Sequence, residues 1–218
     1  MLGRTQGKGR EMITVHHLSF SRSTRILWLL EELGQPYDIV KYPRDENFRA
    51  PPALAAIHPM GKAPVIQDGE LVLGESAVIL DYINTRYGNG RFAPPFGSDA
   101  YFRHSEWLHY VESTAALPIM VMRIGAIAGD MSDGMQRFFT PLLARTLNHM
   151  TRGISGRYLT GDELMLADIQ MVYLLAVAES AGLLANQAAL TAYLARLMER
   201  PALQKAIAIG GPMMPPKK

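Results

Sequence analysis

The chain has 218 residues, 48% of them hydrophobic and 19% charged, with a formal net charge of +2 at neutral pH. That balance suits one large or two small folded domains and gives no general attraction to nucleic acid or anionic membrane. There is no cysteine, so the chain supplies no disulfide, no thiolate zinc ligand and no cysteine nucleophile of its own.

Residues 1–11 (MLGRTQGKGRE) are basic and glycine-rich and read as a disordered leader or an appended remnant. Their GxxxGKG misses the phosphate-loop spacing and follows no strand, so it marks no nucleotide site. From Met12 the pattern turns regular. Ile13 to Leu18 is predicted as a strand, and Ser21, Ser23 and Thr24 are N-cap candidates for a helix that stops at Gly34. Tyr37 to Tyr42 is a second strand, and Pro52 to Ile57 a short helix halted by His58-Pro59. Val65-Ile66 and Leu71 to Leu73 then flank the turn dipeptide Asp68-Gly69 as a hairpin, and a helix opens at Glu75-Ser76 and runs to Tyr87. A parallel βαβ unit joined to an antiparallel hairpin makes a mixed sheet of about four strands.

The Gly/Pro segment GNGRFAPPFGS marks a boundary: residues 12–88 form an α/β domain, 89–98 a linker and 99–209 an all-α domain, with 210–218 a frayed tail. The helices are expected over Asp99 to Leu117, from Pro118 to near Gly129, and over Asp133 to Arg152, Leu166 to Ala181, Ala188 to Met198 and Pro201 to Ile209. The segment from Leu166 is apolar all round and so belongs at the centre of the bundle. No run of about 18 apolar residues stands out as a membrane span; Val172 to Leu184 comes closest, and Glu179 interrupts it. Histidines 16, 17, 58, 104, 109 and 149 show no metal-site spacing, so no metal is expected.

The stretch MGKAPVIQDGELVLGES (60–76) carries the strongest functional signal. A proline at a strand start leaves the backbone groups of the preceding residue, Ala63, free to pair. Ser76 at a helix start offers a hydroxyl, N–H groups and a positive dipole end to a carboxylate. A small, extended, anionic peptide would satisfy both.

With HPMGKAPVIQDGELVLGESAVILDYI (58–83), SRSTRILWLLEELGQPYD (21–38) and GDELMLADI (161–169), the chain resembles the cytosolic glutathione S-transferases, and the loop at 42–59 is similar to a bacterial and fungal branch of them. The resemblance implies a thioredoxin-like N-terminal domain, an all-helical C-terminal domain and a cytoplasmic homodimer. It implies glutathione as co-substrate, bound by Lys62, Ala63, a cis Pro64, Glu75 and Ser76. The thiol would be ionised by Ser21, with Ser23 the competing hydroxyl and Arg22 supplying positive potential; simple capping of the first helix stays the plainer role for Ser23 alone. A hydrophobic electrophile would lie near Tyr110 and Met120, and His109 could reach the partner subunit's glutathione. The same thiolate could instead serve peroxide or disulfide reduction, or the fold could be a non-catalytic binding module. Asp168 matches the family's buried helix-capping acid, while Met165 departs from the usual Ser or Thr at its helix start.

Overall fold

The computed structural model describes residues 12–216, so the leader expected at 1–11 lies outside the described residues. β1 (Ile13–Leu18), α1 (Thr24–Leu33) and β2 (Tyr37–Tyr42) form the expected βαβ unit, with β1 and β2 parallel. After α2 (Pro52–Ile57) come β3 (Val65–Asp68), β4 (Leu71–Leu73) and α3 (Ser76–Arg86). The four strands make one mixed sheet in the order β2-β1-β3-β4, with β3 antiparallel to both its neighbours. β1 is therefore an inner strand, which explains why even His16 and His17 are buried on it.

The hairpin turn falls one residue later than Asp68-Gly69 suggests. Asp68 pairs with Leu71, so Gly69 and Glu70 form the loop, with Gly69 at φ +61°. Two-residue hairpin loops need positive φ, which glycine supplies without strain. Asp68 stays in the strand, where it accepts the hydroxyls of Tyr82 and Tyr87.

The helical part departs from the sequence reading at one place. Instead of a break at Leu117-Pro118, Asp99–Ala128 is a single 30-residue helix. It comprises α4 (Asp99–Tyr110), a π turn (Val111–Ala115) and α5 (Ala116–Ala128). The wider π turn just before Pro118 gives its ring room, so the proline does not stop the helix. Among the described residues this one helix is long and apolar enough to cross a membrane, with a mean hydropathy of 1.4 over its most apolar 18 residues, 28% of which are buried. Glu106, Glu112 and Arg123 interrupt its apolar residues, so it holds no long uninterrupted apolar run.

α6 (Asp133–Gly153), α7 (Leu166–Ser180), α8 (Ala188–Met198) and α9 (Pro201–Gly210) complete the bundle. α7 is buried without a gap from Leu166 to Ala178, as its uniformly apolar sequence requires. The two parts share one continuous core, because α1 packs against both α7 and α9. Arg200 clasps Glu32 at 2.5 and 2.8 Å, and Lys205 meets Glu31 at 2.6 Å, tying α9 to α1. The 89–98 segment is anchored too: Phe92 is buried, its N–H donates to Asn84, and its carbonyl accepts from Leu166. The tail is not wholly frayed, since Met213 packs into the core.

His104 on α4 is buried, and neither ring nitrogen has a hydrogen-bond partner among the described residues. Burial, aided by His109, lowers its pKa from 6.5 to about 4. The folded chain thus refuses a proton that the unfolded chain accepts, so stability is lost as pH falls from 6.5 toward 4. His104→Leu is expected to retain about 2 kcal/mol more stability than the wild type on going from pH 7 to pH 4.5. Urea denaturation at the two pH values checks this; equal losses in the two chains would contradict it.

Candidate functional site

A cleft of about 270 Å³ opens between the 58–64 segment, the start of α3, the turn before α1 and the π turn. Its wall holds Ala63 and Pro64, whose peptide bond is cis, together with Met60 and Gly74. Its polar groups are Arg22, His58, Lys62, Glu75, Ser76 and Glu112. Two fixed cations and two carboxylates on one small surface suit a ligand that is itself doubly anionic and singly cationic.

Each wall element has a local cause. Pro64 precedes β3, where its missing N–H costs no ladder bond, and Ala63 beside it keeps its backbone groups free of the sheet. Glu75 adopts φ +64°, a rare conformation for a residue with a side chain, and from it Ser76 starts α3. Ser76 is nearly buried, and its Oγ accepts from Arg25 Nη1 at 3.1 Å. The Ser76 proton is therefore left to donate to a bound carboxylate, at a helix N-terminus that also favours negative charge. Gly74 lets the His58 ring lie close: a Cβ there would stand 3.2 Å from His58 Cε1.

Arg25 is completely buried, and Glu112 is its counter-charge, 2.6 Å from Nη1. Glu112 also accepts from Arg22 Nε at 2.8 Å, and the Tyr173 ring lies 5.4 and 5.5 Å from the two guanidinium carbons. Burial lowers the Arg25 pKa to about 10 against the pull of Glu112, so Arg25 stays charged at neutral pH. Burial would raise the Glu112 carboxyl, but Arg25 and Arg22 outweigh it and hold it below the ordinary value. The π turn is what aims Glu112 at the N-terminal end of α1.

At that same end, Ser21 Oγ lies 2.7 Å from Ser23 Oγ, which lies 2.8 Å from His17 Nδ1. Ser23 caps no N–H with its side chain, so the capping role expected for it is not the one it plays. Ser21 is 5% exposed and Ser23 0%. Neither lines the cleft, although Arg22 between them does.

Residues 20–86 match the family profile described as the glutathione S-transferase N-terminal domain. A solved glutathione S-transferase from Actinobacillus pleuropneumoniae is 34% identical with a TM-score of 0.83, covering 91% of this chain and 93% of that one. The chain belongs to the glutathione S-transferase family. Glutathione S-transferase 3 of Schizosaccharomyces pombe is 35% identical over 158 residues, and glutathione S-transferase 1 of Saccharomyces cerevisiae 39% over 116. These matches take in 72% and 50% of this chain but only 62% and 50% of the two yeast proteins.

Within this transferase fold, Lys62, Ala63, Pro64, Glu75, Ser76 and Arg22 all meet at the cleft. Tyr110 and Met120 lie outside its lining. Tyr110 packs on Trp107 and His149, and Met120 lies partly buried against the core. His109 is exposed, its ring 2.8 Å from the Ser105 carbonyl, and it lines a second hollow with Val78, Tyr101 and His104 between α3 and α4. No group of three or more potential metal ligands occurs among the described residues. Sequence reasoning missed Arg25, His58, Glu112 and Tyr173. Arg25 carried one signal, its position one helical turn after Ser21; Glu112 carried none, since a local π turn leaves no periodicity to read.

Proposed function

We propose that the protein is a glutathione transferase that binds glutathione in this cleft and presents its thiolate to a hydrophobic electrophile. The observation that carries this reading is the convergence of a cis Ala63-Pro64 bond, Ser76 at the α3 start and alternating charges on one 270 Å³ surface. Ala63 pairs with the cysteinyl backbone as a short strand would. Ser76, with its proton left free by Arg25, takes the γ-glutamyl carboxylate; Glu75 and Glu112 face the ammonium, and Lys62 and His58 face the glycyl carboxylate. Ser21, 5% exposed and next to the cleft-lining Arg22, activates a thiol that reaches past the lining to the turn before α1, supported by the N-terminal end of α1 and by Arg22.

A free thiol with pKa about 8.5 is mostly protonated at pH 7, so a shift of two units would draw on about 2.7 kcal/mol of preferential interaction with the thiolate. Calorimetry with glutathione and a conjugation assay with a chromogenic aryl halide test the reading. Ser21→Ala is expected to lower kcat/KM about a hundredfold while leaving S-methylglutathione affinity near the wild-type value. No binding of glutathione below about 10 mM, weaker than about 3 kcal/mol, would remove the reading altogether.

The assembly belongs to the same proposal: a cytoplasmic homodimer. Leu71, Val78 and Phe102 are large apolar side chains left exposed on β4, α3 and α4, and burying exposed apolar side chains favours association. Sedimentation at micromolar concentration checks this, and a monomer would count against it.

A further inference from the structure

The row of side chains behind Ser21 has a direction. His17 Nε2 lies 2.8 Å from the Gly210 carbonyl oxygen, and a carbonyl can only accept, so Nε2 carries a proton. Burial keeps the ring neutral at pH 7, with Gly210 opposing that effect and Lys41 of the adjacent strand β2 reinforcing it. Nδ1 is then bare and accepts the Ser23 hydroxyl. That commits the one proton Ser23 has, so Ser21 O–H must be the donor in the 2.7 Å contact with Ser23. All three protons point inward, from the turn before α1 to the end of α9. Gly210 makes the last contact possible, because a Cβ there would stand 2.8 Å from His17 Cε1 and from Leu27 Cδ1.

A hydroxyl in this state can accept from a thiol but cannot donate to a thiolate. We propose that His17 is a positioning residue that takes up the proton of the bound thiol by way of Ser21 and Ser23. The inference rests on the cleft being a glutathione site with Ser21 at the sulfur. The S–H bond breaks as its proton passes to Ser21 Oγ; the Ser21 proton passes to Ser23 Oγ, and the Ser23 proton to His17 Nδ1. Three protons each move one place, and no co-reactant is needed. The products are a thiolate and an imidazolium whose Nε2–H still donates to Gly210, the new negative charge on sulfur offsetting the burial that keeps the ring neutral before the thiol binds. The row now points outward, and Ser21 donates to the sulfur. A base within hydrogen-bond reach of a hydroxyl, itself oriented by a third group, is the arrangement that activates nucleophiles generally. Here the nucleophile belongs to the ligand. The groups facing the ring are Ser23 before α1, Gly210 on α9 and Lys41 on β2, of which Lys41 is the charged one.

Counting protons against thiolates tests the proposal. Glutathione is added at pH 7 in weak buffer with an indicator dye; ultraviolet absorbance reports thiolate and the dye reports released protons. S-methylglutathione, which has no thiol, subtracts every other protonation change. The wild type is expected to release well under half a proton per thiolate formed. Ser23→Ala and His17→Gln are expected to form about tenfold less thiolate at pH 7 and to release a whole proton for each. A whole proton per thiolate in the wild type overturns the proposal, as does a wild-type balance in both variants or glutathione binding without thiolate. Ser23→Ala removes one buried hydroxyl and leaves α9 untouched, so it gives an answer even where His17→Gln misfolds. S-methylglutathione affinity within about threefold of wild type shows that a variant keeps its cleft. Failure of S-methylglutathione to bind the wild type is a separate result: it removes the glutathione reading and this proposal with it.

Discussion

Replacing Glu112 with alanine is expected to cost about 3 kcal/mol of folding stability and to weaken glutathione binding at least tenfold. The reason lies in the partner left behind. Arg25 has no exposed surface, and Glu112 is the carboxylate paired with it. Stranding a buried guanidinium costs more than the pair was worth, because the charge keeps its desolvation penalty and loses the compensation. Glu112 itself is part-exposed, at 28%, which holds the figure to the lower end of the range for buried pairs. Glu112→Gln keeps an acceptor for Arg25 but loses the charge, so about half the loss is expected.

A double replacement, Arg25→Met with Glu112→Met, separates pairing from packing. It removes both charges and keeps side-chain bulk, so it should recover most of the stability and none of the binding. Urea denaturation gives the first quantity and calorimetry with S-methylglutathione the second. A stability within 1 kcal/mol of wild type for Glu112→Ala would mean that water, not Glu112, compensates Arg25.

Much of this was legible from the residues, and the reasons differ from element to element. The α/β part declares itself through short-range chemistry: turn residues, a stopping glycine at Gly34, and proline before β3. α7 announces its central position by having no polar face. Pro64 and Ser76 could be read as a site because their roles depend on backbone position, which local sequence controls. The hairpin slipped by one residue because Asp68-Gly69 and Gly69-Glu70 are both workable turns, and the choice is made by Tyr82 and Tyr87 reaching Asp68 from α3 and the residue after it. Arg25 and Glu112 are 87 positions apart. Their meeting depends on a π turn and on α7, which packs against both that turn and α1; neither leaves a mark in residue spacing. The partners of His17 come from a turn six residues on and from a helix 193 positions away, so the pattern of β1 leaves no sign of them.

Asp168→Ala is expected to be the most destabilising single change in the helical part, at about 4 kcal/mol, lowering the melting temperature by about 8–16 °C. The side chain is wholly buried and reaches three separate segments. Oδ1 accepts the Leu159 N–H at 2.9 Å from the preceding loop, and Oδ2 accepts the Met165 N–H at 2.9 Å at the start of its own helix. The Tyr193 hydroxyl from α8 donates to Oδ1 as well. Met165 brings no oxygen to cap α7; Asp168 takes the Met165 N–H and the Phe92 carbonyl takes the Leu166 N–H, which is why a methionine is tolerated there. Alanine strands two backbone donors and a phenol away from water. Asparagine is no rescue, because its NH₂ group would face a donor whichever way the amide is turned. The loss should stay separate from the chemistry. α7 reaches the cleft region through Tyr173, five residues on, whose hydroxyl also donates to the Phe20 carbonyl at 3.0 Å. The cleft wall itself comes from the 58–64 segment, the start of α3, the turn before α1 and the π turn. Well below its melting temperature, Asp168→Ala should therefore bind S-methylglutathione within about threefold of wild type. A larger loss of affinity in the folded protein would show that the tie between α7 and the Arg22–Arg25 pair positions the ligand, and does not merely support the bundle.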